Sequence, residues 1–211
     1  MGVWDERAQA YRESPEHREG WDLDLIVEWA AGAGTALDVA SGGGHVARRL
    51  REAGIEVVSS DPAPGMRPDV VCPAEDLPFA DARFDVVACR LAAHHFQDVK
   101  AGLREMARVT SNLVLVVDNL RMGDADEDAN RLRDPSHVRN YSEEEWHALF
   151  AGARLDVVEA RTLERRIELE PWLARTGCAG ENAARVRELV ADRIEDGRLR
   201  LDRIAIKGRK A

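Results

Sequence analysis

The residues best suited to chemistry lie around Ser41-Gly42-Gly43-Gly44, which breaks the apolar run TALDVA before HVARRLREAG resumes at helical spacing. Gly42, Gly44 and Ala47 fit G-x-G-x-x-A, a turn whose glycines let backbone approach a ligand at a helix N-terminus. Alone, that spacing suggests a dinucleotide. Asp38, four residues before Gly42, points elsewhere, because a carboxylate at the end of the first strand would repel a pyrophosphate. A ligand with cationic groups fits better. S-adenosyl-L-methionine carries an α-ammonium and a sulfonium, and its ribose calls for an acid on the next strand, where Asp61 stands 19 residues beyond Gly42. The plain alternative is that Asp38 and Asp61 are turn-forming acids at strand ends. Further along, His94 and His95 follow the apolar run FDVVACRL. Imidazole has the unperturbed pKa best matched to a general base for a hydroxyl, thiol or carbon acid, and His95 is preferred over His94. The competing reading is a helix-starting pair satisfied by backbone carbonyls.

These residues need a scaffold, and the pattern around them supplies one. IEVVSS ending at Asp61, DVVC, FDVVACRL and NLVLVVDN are Val-rich runs apolar on both faces, as expected of parallel strands covered on both sides. Helical spacing alternates with them: Val46, Ala47, Leu50 and Ala53 before Gly54, then Val99, Leu103, Met106 and Ala107 after a capping Asp98. The expected fold is α/β, a Rossmann-like, doubly wound and mostly parallel sheet. A helical preamble covers 1–33, with helices over 4–13 and 22–31 and Ser14 as an N-cap before Pro15. The cofactor-binding half is 34–120. The remainder, 121–211, is the lid and substrate side of the same single domain. There DADEDANRLRDPSHVR reads as helix plus loop, Ser142 and Glu145 as a capping box, RLDVVEARTLERRIEL as a strand and Pro171 to Gly197 as helix. LRLDRIAIKGRK is a closing strand, antiparallel to the rest.

Composition narrows the partners. In 211 residues, 45% are hydrophobic and 33% charged, enough for one buried core. The formal charge of −9 disfavours nucleic acid and anionic membranes, so an uncharged or cationic small molecule is the first expectation. Cys72, Cys89 and Cys178 form no C-x-x-C pair, the N-terminal stretch lacks an apolar core, and no long apolar run occurs. A cytoplasmic protein without a membrane span is expected. No clustered ligand set suggests a metal, although Asp98, Asp118 and Asn119 would be the residues to consider. Whether the chain forms a homo-oligomer stays open.

The strings ALDVASGGGHVARRL, VVSSDPAPGM, AEDLPFADARFDVVACRLAAHHFQDV and LVLVVDN together resemble the successive motifs of class I S-adenosylmethionine-dependent methyltransferases. Within that superfamily the chain is most similar to the methyltransferase type 11 group around the ubiquinone/menaquinone C-methyltransferases. YRESPEHREGWDL and RDPSHVRNYSEEEW extend the likeness over most of the chain; the last 40 or so residues are less distinctive. The resemblance implies methyl transfer by in-line displacement to a small-molecule acceptor, with S-adenosyl-L-homocysteine as product. It places Asp38 near the methionine ammonium, and the backbone of Ala40, Ser41, Gly42 and Gly44 against the methionyl part. Asp61 would take the ribose, Pro62, Ala74 and Glu75 the adenine, and Arg90 with Leu91 would lie beside the sulfonium. Tyr11 on the cofactor side, and His17, His137 and Arg139 on the substrate side, are the polar candidates to close over the site. Their plain alternative is to tie extra helices to the sheet.

Two departures stand out. Pro73 occupies a position where the family usually has an acid or amide, and only eight residues, from Pro62 to Asp69, join two parallel strands. A crossover helix needs roughly ten to twelve residues, so it is expected to be missing and the adenine edge more open. This motivates a second reading, a cofactor-binding regulatory or assembly protein. A third, an NAD(P)-dependent oxidoreductase, rests on G-x-G-x-x-A and is opposed by Asp38.

Overall fold

The computed structural model describes residues 3–211. Three helices lead the chain: α1 (Val3–Glu13), α2 (Pro15–Arg18) and α3 (Trp21–Trp29). Strand β1 (Thr35–Val39), helix α4 (His45–Glu52) and strand β2 (Glu56–Asp61) follow, then β3 (Val70–Val71), β4 (Phe84–Arg90), α5 (Val99–Val109) and β5 (Thr110–Asn119). Beyond them come α6 (Asp124–Arg133), α7 (Glu143–Gly152), β6 (Leu155–Glu168), α8 (Leu169–Arg175), α9 (Gly180–Leu189), β7 (Ile194–Glu195) and β8 (Arg198–Lys210). The sheet runs β3-β2-β1-β4-β5-β8-β6, with β7 on β8. The first five strands are parallel, and β8 is antiparallel to β5 and β6. The mostly parallel, Rossmann-like sheet and its antiparallel closing strand therefore follow the expectation.

Period-two alternation explains how each strand serves two cores. On one face Leu37, Val87, Val114, Val116 and Ile204 pack with Leu103 and Met106 of α5 and Trp146 and Phe150 of α7. On the other, Ala36, Val86, Leu115 and Ala205 pack with Leu23, Ile26 and Trp29 of α3 and Leu50 of α4. A satellite core of Ala129, Leu173, Val186 and Leu199 joins α6, α8 and α9 to the far ends of β6 and β8.

Local signals behave unevenly. Asp98 caps α5 by accepting from the Ala101 N–H at 3.0 Å. Ser142 and Glu145 form the reciprocal capping box of α7, each side chain accepting from the other's backbone N–H. Ser142→Ala should therefore cost about 1 kcal/mol, measurable as a lower urea midpoint with unchanged slope. Ser14 makes no cap bond to α2; its hydroxyl instead meets His17 Nδ1 at 2.9 Å. The segment read as helix from Pro171 to Gly197 is instead two helices, α8 and α9, parted at the positive-φ Gly177 and ending at Leu189; beyond them Asp196 and Gly197, both at positive φ, turn β7 back onto β8.

The short connection after β2 holds only a 3-10 turn at Pro64–Met66. The edge expected to be open is occupied by α1. Its Ala8 packs with Ala63 and Met66, flanked by Trp4 and Tyr11. Asp5 accepts from the Gly65 N–H at 2.6 Å, and Arg12 donates to the Gly65 carbonyl at 2.8 Å. A Cβ on Gly65 would meet Asp5 Cα at 2.8 Å, so glycine lets the two segments touch. Among the described residues no helix is long and apolar enough to cross a membrane.

Candidate active site

The C-terminal ends of β1, β2 and β4 open into a cavity of about 310 Å³, the place where parallel α/β sheets collect ligands. Asp38, Ala40, Ser41, Gly42, Asp61, Pro62, Ala74, Glu75 and Arg90 line it, together with Tyr11 and His17 from the N-terminal helices. Gly44 lies just outside the wall: it starts α4 in the left-handed region (φ 72°) and donates to the Ser41 carbonyl at 2.8 Å. Gly43 lines the wall in its place; a Cβ there would meet His45 Nε2 at 2.6 Å and the Tyr11 carbonyl at 3.1 Å. Two non-glycine residues at the cavity, Ala40 (φ 53°) and Leu91 (φ 55°), are also left-handed. Each costs on the order of 1 kcal/mol, and the two lie at the ends of the neighbouring strands β1 and β4.

Two acids flank the glycine turn. Asp38 is buried and accepts from the Ala47 N–H at 2.9 Å. Burial outweighs that one bond, and the nearby Asp61 adds repulsion, so its carboxyl is raised to about 7. Asp61 accepts from the Gly42 and Ala63 N–H groups, each at 2.9 Å, and burial raises it too. Glu75 spends one oxygen on the backbone N–H groups of Gln97 and Asp98.

Arg90 is the one Lys or Arg side chain among the described cavity-lining residues. Its Nε donates to Asp22 at 2.7 Å and its Nη1 to the His17 carbonyl at 3.0 Å, while the buried Nη2 has no partner among the described residues. Asp22 is shared with Arg203 at 3.0 Å. Burial favours a neutral carboxyl at Asp22, but the two guanidiniums overcome it and hold the group ionised. Two buried cations around one buried anion leave this group with net positive charge.

The histidines divide. His95 lines the cavity, and its Nδ1 lies 3.0 Å from the Ser136 carbonyl. A carbonyl only accepts, so Nδ1 carries the proton and Nε2 keeps its lone pair. Burial, with neighbouring His94, lowers the pKa of His95 to about 3, so the ring is neutral at physiological pH. His94 does not line the cavity; Asp118 holds its ring at 2.6 Å and its backbone N–H at 2.9 Å. His17 lines the wall and is kept neutral, chiefly by burial and then by Arg175 and Arg90.

His137 and Arg139 are not brought to the cavity. The His137 ring is buried against Glu127 at 3.3 Å, and Arg139 turns outward to Glu145 at 2.7 Å, stacked over Tyr141. Sequence reasoning missed Trp4, Met66, Phe96 and Gln97 on the wall. Trp4, Ala8 and Tyr11 share one face of α1, a spacing that could have revealed Trp4. Among the described residues no group of three or more His, Cys, Asp or Glu side chains could hold a metal.

A methyltransferase domain profile matches residues 37–116. The uncharacterized methyltransferase YcgJ of Bacillus subtilis is 32% identical over 208 residues, covering 87% of this chain and 82% of that protein. Its solved structure superposes with a TM-score of 0.77 over 90% of this chain and 97% of YcgJ. A candidate methyltransferase from Bacillus halodurans gives 0.79 at 29% identity, covering 90% of this chain and 99% of that one. A demethylmenaquinone methyltransferase of Beutenbergia cavernae is 40% identical over 84 residues, 35% of each chain.

Proposed function

The chain belongs to the methyltransferase family, and we propose that its cavity binds S-adenosyl-L-methionine and passes the methyl group to a small-molecule acceptor. The observation that carries this reading is the match of charges on the wall: buried acids beside a glycine turn, and a lone Arg90 with an unpartnered buried donor. That set suits a ligand with cationic groups and one carboxylate. It does not suit the pyrophosphate of a nicotinamide cofactor, which would meet Asp38 and Asp61.

In this reading Asp61 takes the ribose hydroxyls while its backbone bonds hold it in place. Asp38 faces the ammonium across the turn whose backbone, from Ala40 through Gly44, holds the methionyl chain. Pro62, Ala74 and Glu75 border the adenine, and Tyr11 closes the cofactor side. Arg90 is assigned to a carboxylate rather than to the sulfonium, since a guanidinium beside a sulfonium would repel it. Bound, the cofactor supplies an electrophilic methyl group. The protein's part is to align the acceptor and exclude water, and alignment alone is worth about 7–11 kcal/mol. His95 receives the acceptor proton at Nε2 when the acceptor is a hydroxyl, thiol or carbon acid, and His17 stands on the substrate side.

Incubation with labelled S-adenosyl-L-methionine and a panel of phenols, quinols, amines and thiols tests the proposal. Label should move to at least one acceptor class. With a hydroxyl, thiol or carbon acceptor, His95→Ala should lower turnover with little change in cofactor affinity. Tight cofactor binding with no transfer to any class would favour a binding protein instead.

A further inference from the structure

Helix α1 reaches His95 by two routes. The Trp4 ring stands edge-on to the imidazole, with centroids 4.7 Å apart. Three residues further on, Arg7 Nη1 meets Asp134 Oδ1 at 2.9 Å, and its Nη2 donates to the Thr176 carbonyl at 2.9 Å. The same Asp134 oxygen accepts from the Ser136 N–H at 3.0 Å and the Ser136 hydroxyl at 2.6 Å. Ser136 in turn offers its carbonyl to His95 Nδ1 at 3.0 Å. The turn is tightened by the His137 N–H on the Asp134 carbonyl, and the next two N–H groups, of Val138 and Arg139, donate to the His94 carbonyl.

We propose that Asp134 is a positioning residue, which fixes the protonation site of the His95 ring through Ser136 and does so only while Arg7 holds α1 closed. The proposal rests on His95 being the base. Asp134 is fully buried; its Oδ2 has no hydrogen-bond partner and only Arg133 Nη2 stands near it, at 3.8 Å, so the hydrogen bonds that stabilise the carboxylate converge on Oδ1. Burial alone would raise its pKa; the Ser136 and Arg7 bonds reverse this and hold it at about 2. Withdrawing Arg7 removes the one cation bonded directly to that oxygen and leaves the buried charge only the more distant, unbonded Arg133 guanidinium. The 134–136 turn must then relax, and the Ser136 carbonyl moves with it. Without that acceptor, Nδ1–H loses its advantage over Nε2–H, and part of the population carries its proton on the nitrogen that should face the acceptor. Closure of α1 and readiness of the base are thus one event. Because Trp4 and Tyr11 also line the cavity, the helix that walls the ligand site is the helix that arms the histidine.

Imidazole tautomers have distinct patterns in long-range ¹H–¹⁵N correlation spectra, which need no acceptor. The ring of His95, identified by its disappearance in His95→Gln, should show the Nδ1-protonated pattern in the ¹⁵N-labelled native chain. In Arg7→Gln and Asp134→Asn it should move to an averaged or Nε2-protonated pattern, with Arg7→Lys intermediate. With an acceptor in hand, kcat should fall on the order of 100-fold in Arg7→Gln. An unchanged His95 pattern in folded Arg7→Gln would overturn the proposal, and this variant keeps the test alive if Asp134→Asn does not fold. Full turnover in His95→Ala would sink the base assignment separately, leaving the tautomer result to stand or fall alone.

Discussion

Asp38→Asn should abolish cofactor binding and yet stabilise the ligand-free protein above pH 7. The carboxyl is buried with a single N–H donor, and its folded pKa of about 7 lies well above the ordinary aspartate value of about 3.9. A raised folded pKa means that the native state binds the proton more tightly than the unfolded chain does. The associated stability is fully present below about pH 4 and is lost as pH rises through about 7, a change of up to ~4 kcal/mol. An amide keeps an oxygen for the Ala47 N–H without the charge. Urea melts of both proteins at pH 5.5 and 8 check this, other titrating groups cancelling in the difference at each pH. The variant's advantage should grow by about 2 kcal/mol from the lower pH to the higher. Saturating S-adenosyl-L-homocysteine should reverse the order, because the ammonium compensates Asp38 in the native protein alone. Native affinity for that ligand should also weaken as pH falls below about 7, where ionising Asp38 must release a proton. A variant less stable than the native chain at pH 8 would contradict the assignment.

Arg90→Met should separate ligands by their carboxylate. Hydrogen bonds to charged groups contribute about 1.5–3 kcal/mol, so affinity for S-adenosyl-L-homocysteine should drop by roughly 10–100-fold. Its decarboxylated analogue should bind the native chain and the variant nearly alike. Asp22 keeps Arg203 as a partner at 3.0 Å, so the variant does not strand that buried carboxylate. Equal losses for both ligands would reduce Arg90 to a prop for α3 and the His17 segment. No loss for either would move the carboxylate to the acceptor, against the initial expectation of an uncharged or cationic one.

What could be read in advance was local. The strand, glycine turn and helix from Thr35 to Glu52 announce themselves by apolar period and punctuation, and so does the capping box at Ser142. The shortness of Pro62–Asp69 excluded a helix by counting alone, but not the identity of what covers the gap, since α1 lies some 60 residues earlier in the chain. The same distance hid the partners of the site. Asp22 meets Arg90 across 68 residues, Asp118 meets His94 across 24, and Ser136 meets His95 across 41. Neither periodicity nor motif spacing encodes such pairs. His137 and Arg139 were chosen because they are polar and lie in a loop-rich stretch; whether such a side chain faces a cavity or a neighbouring carboxylate depends on the tertiary path.

The measurement that bears most directly on the central claim is calorimetric titration of the native chain with S-adenosyl-L-homocysteine at pH 8, with NAD in parallel and Asp61→Ala as the paired variant. The account predicts one-to-one micromolar binding of the first ligand, none of the second, and loss of binding in the variant. Binding of NAD instead, or a native chain that takes up neither, would contradict it.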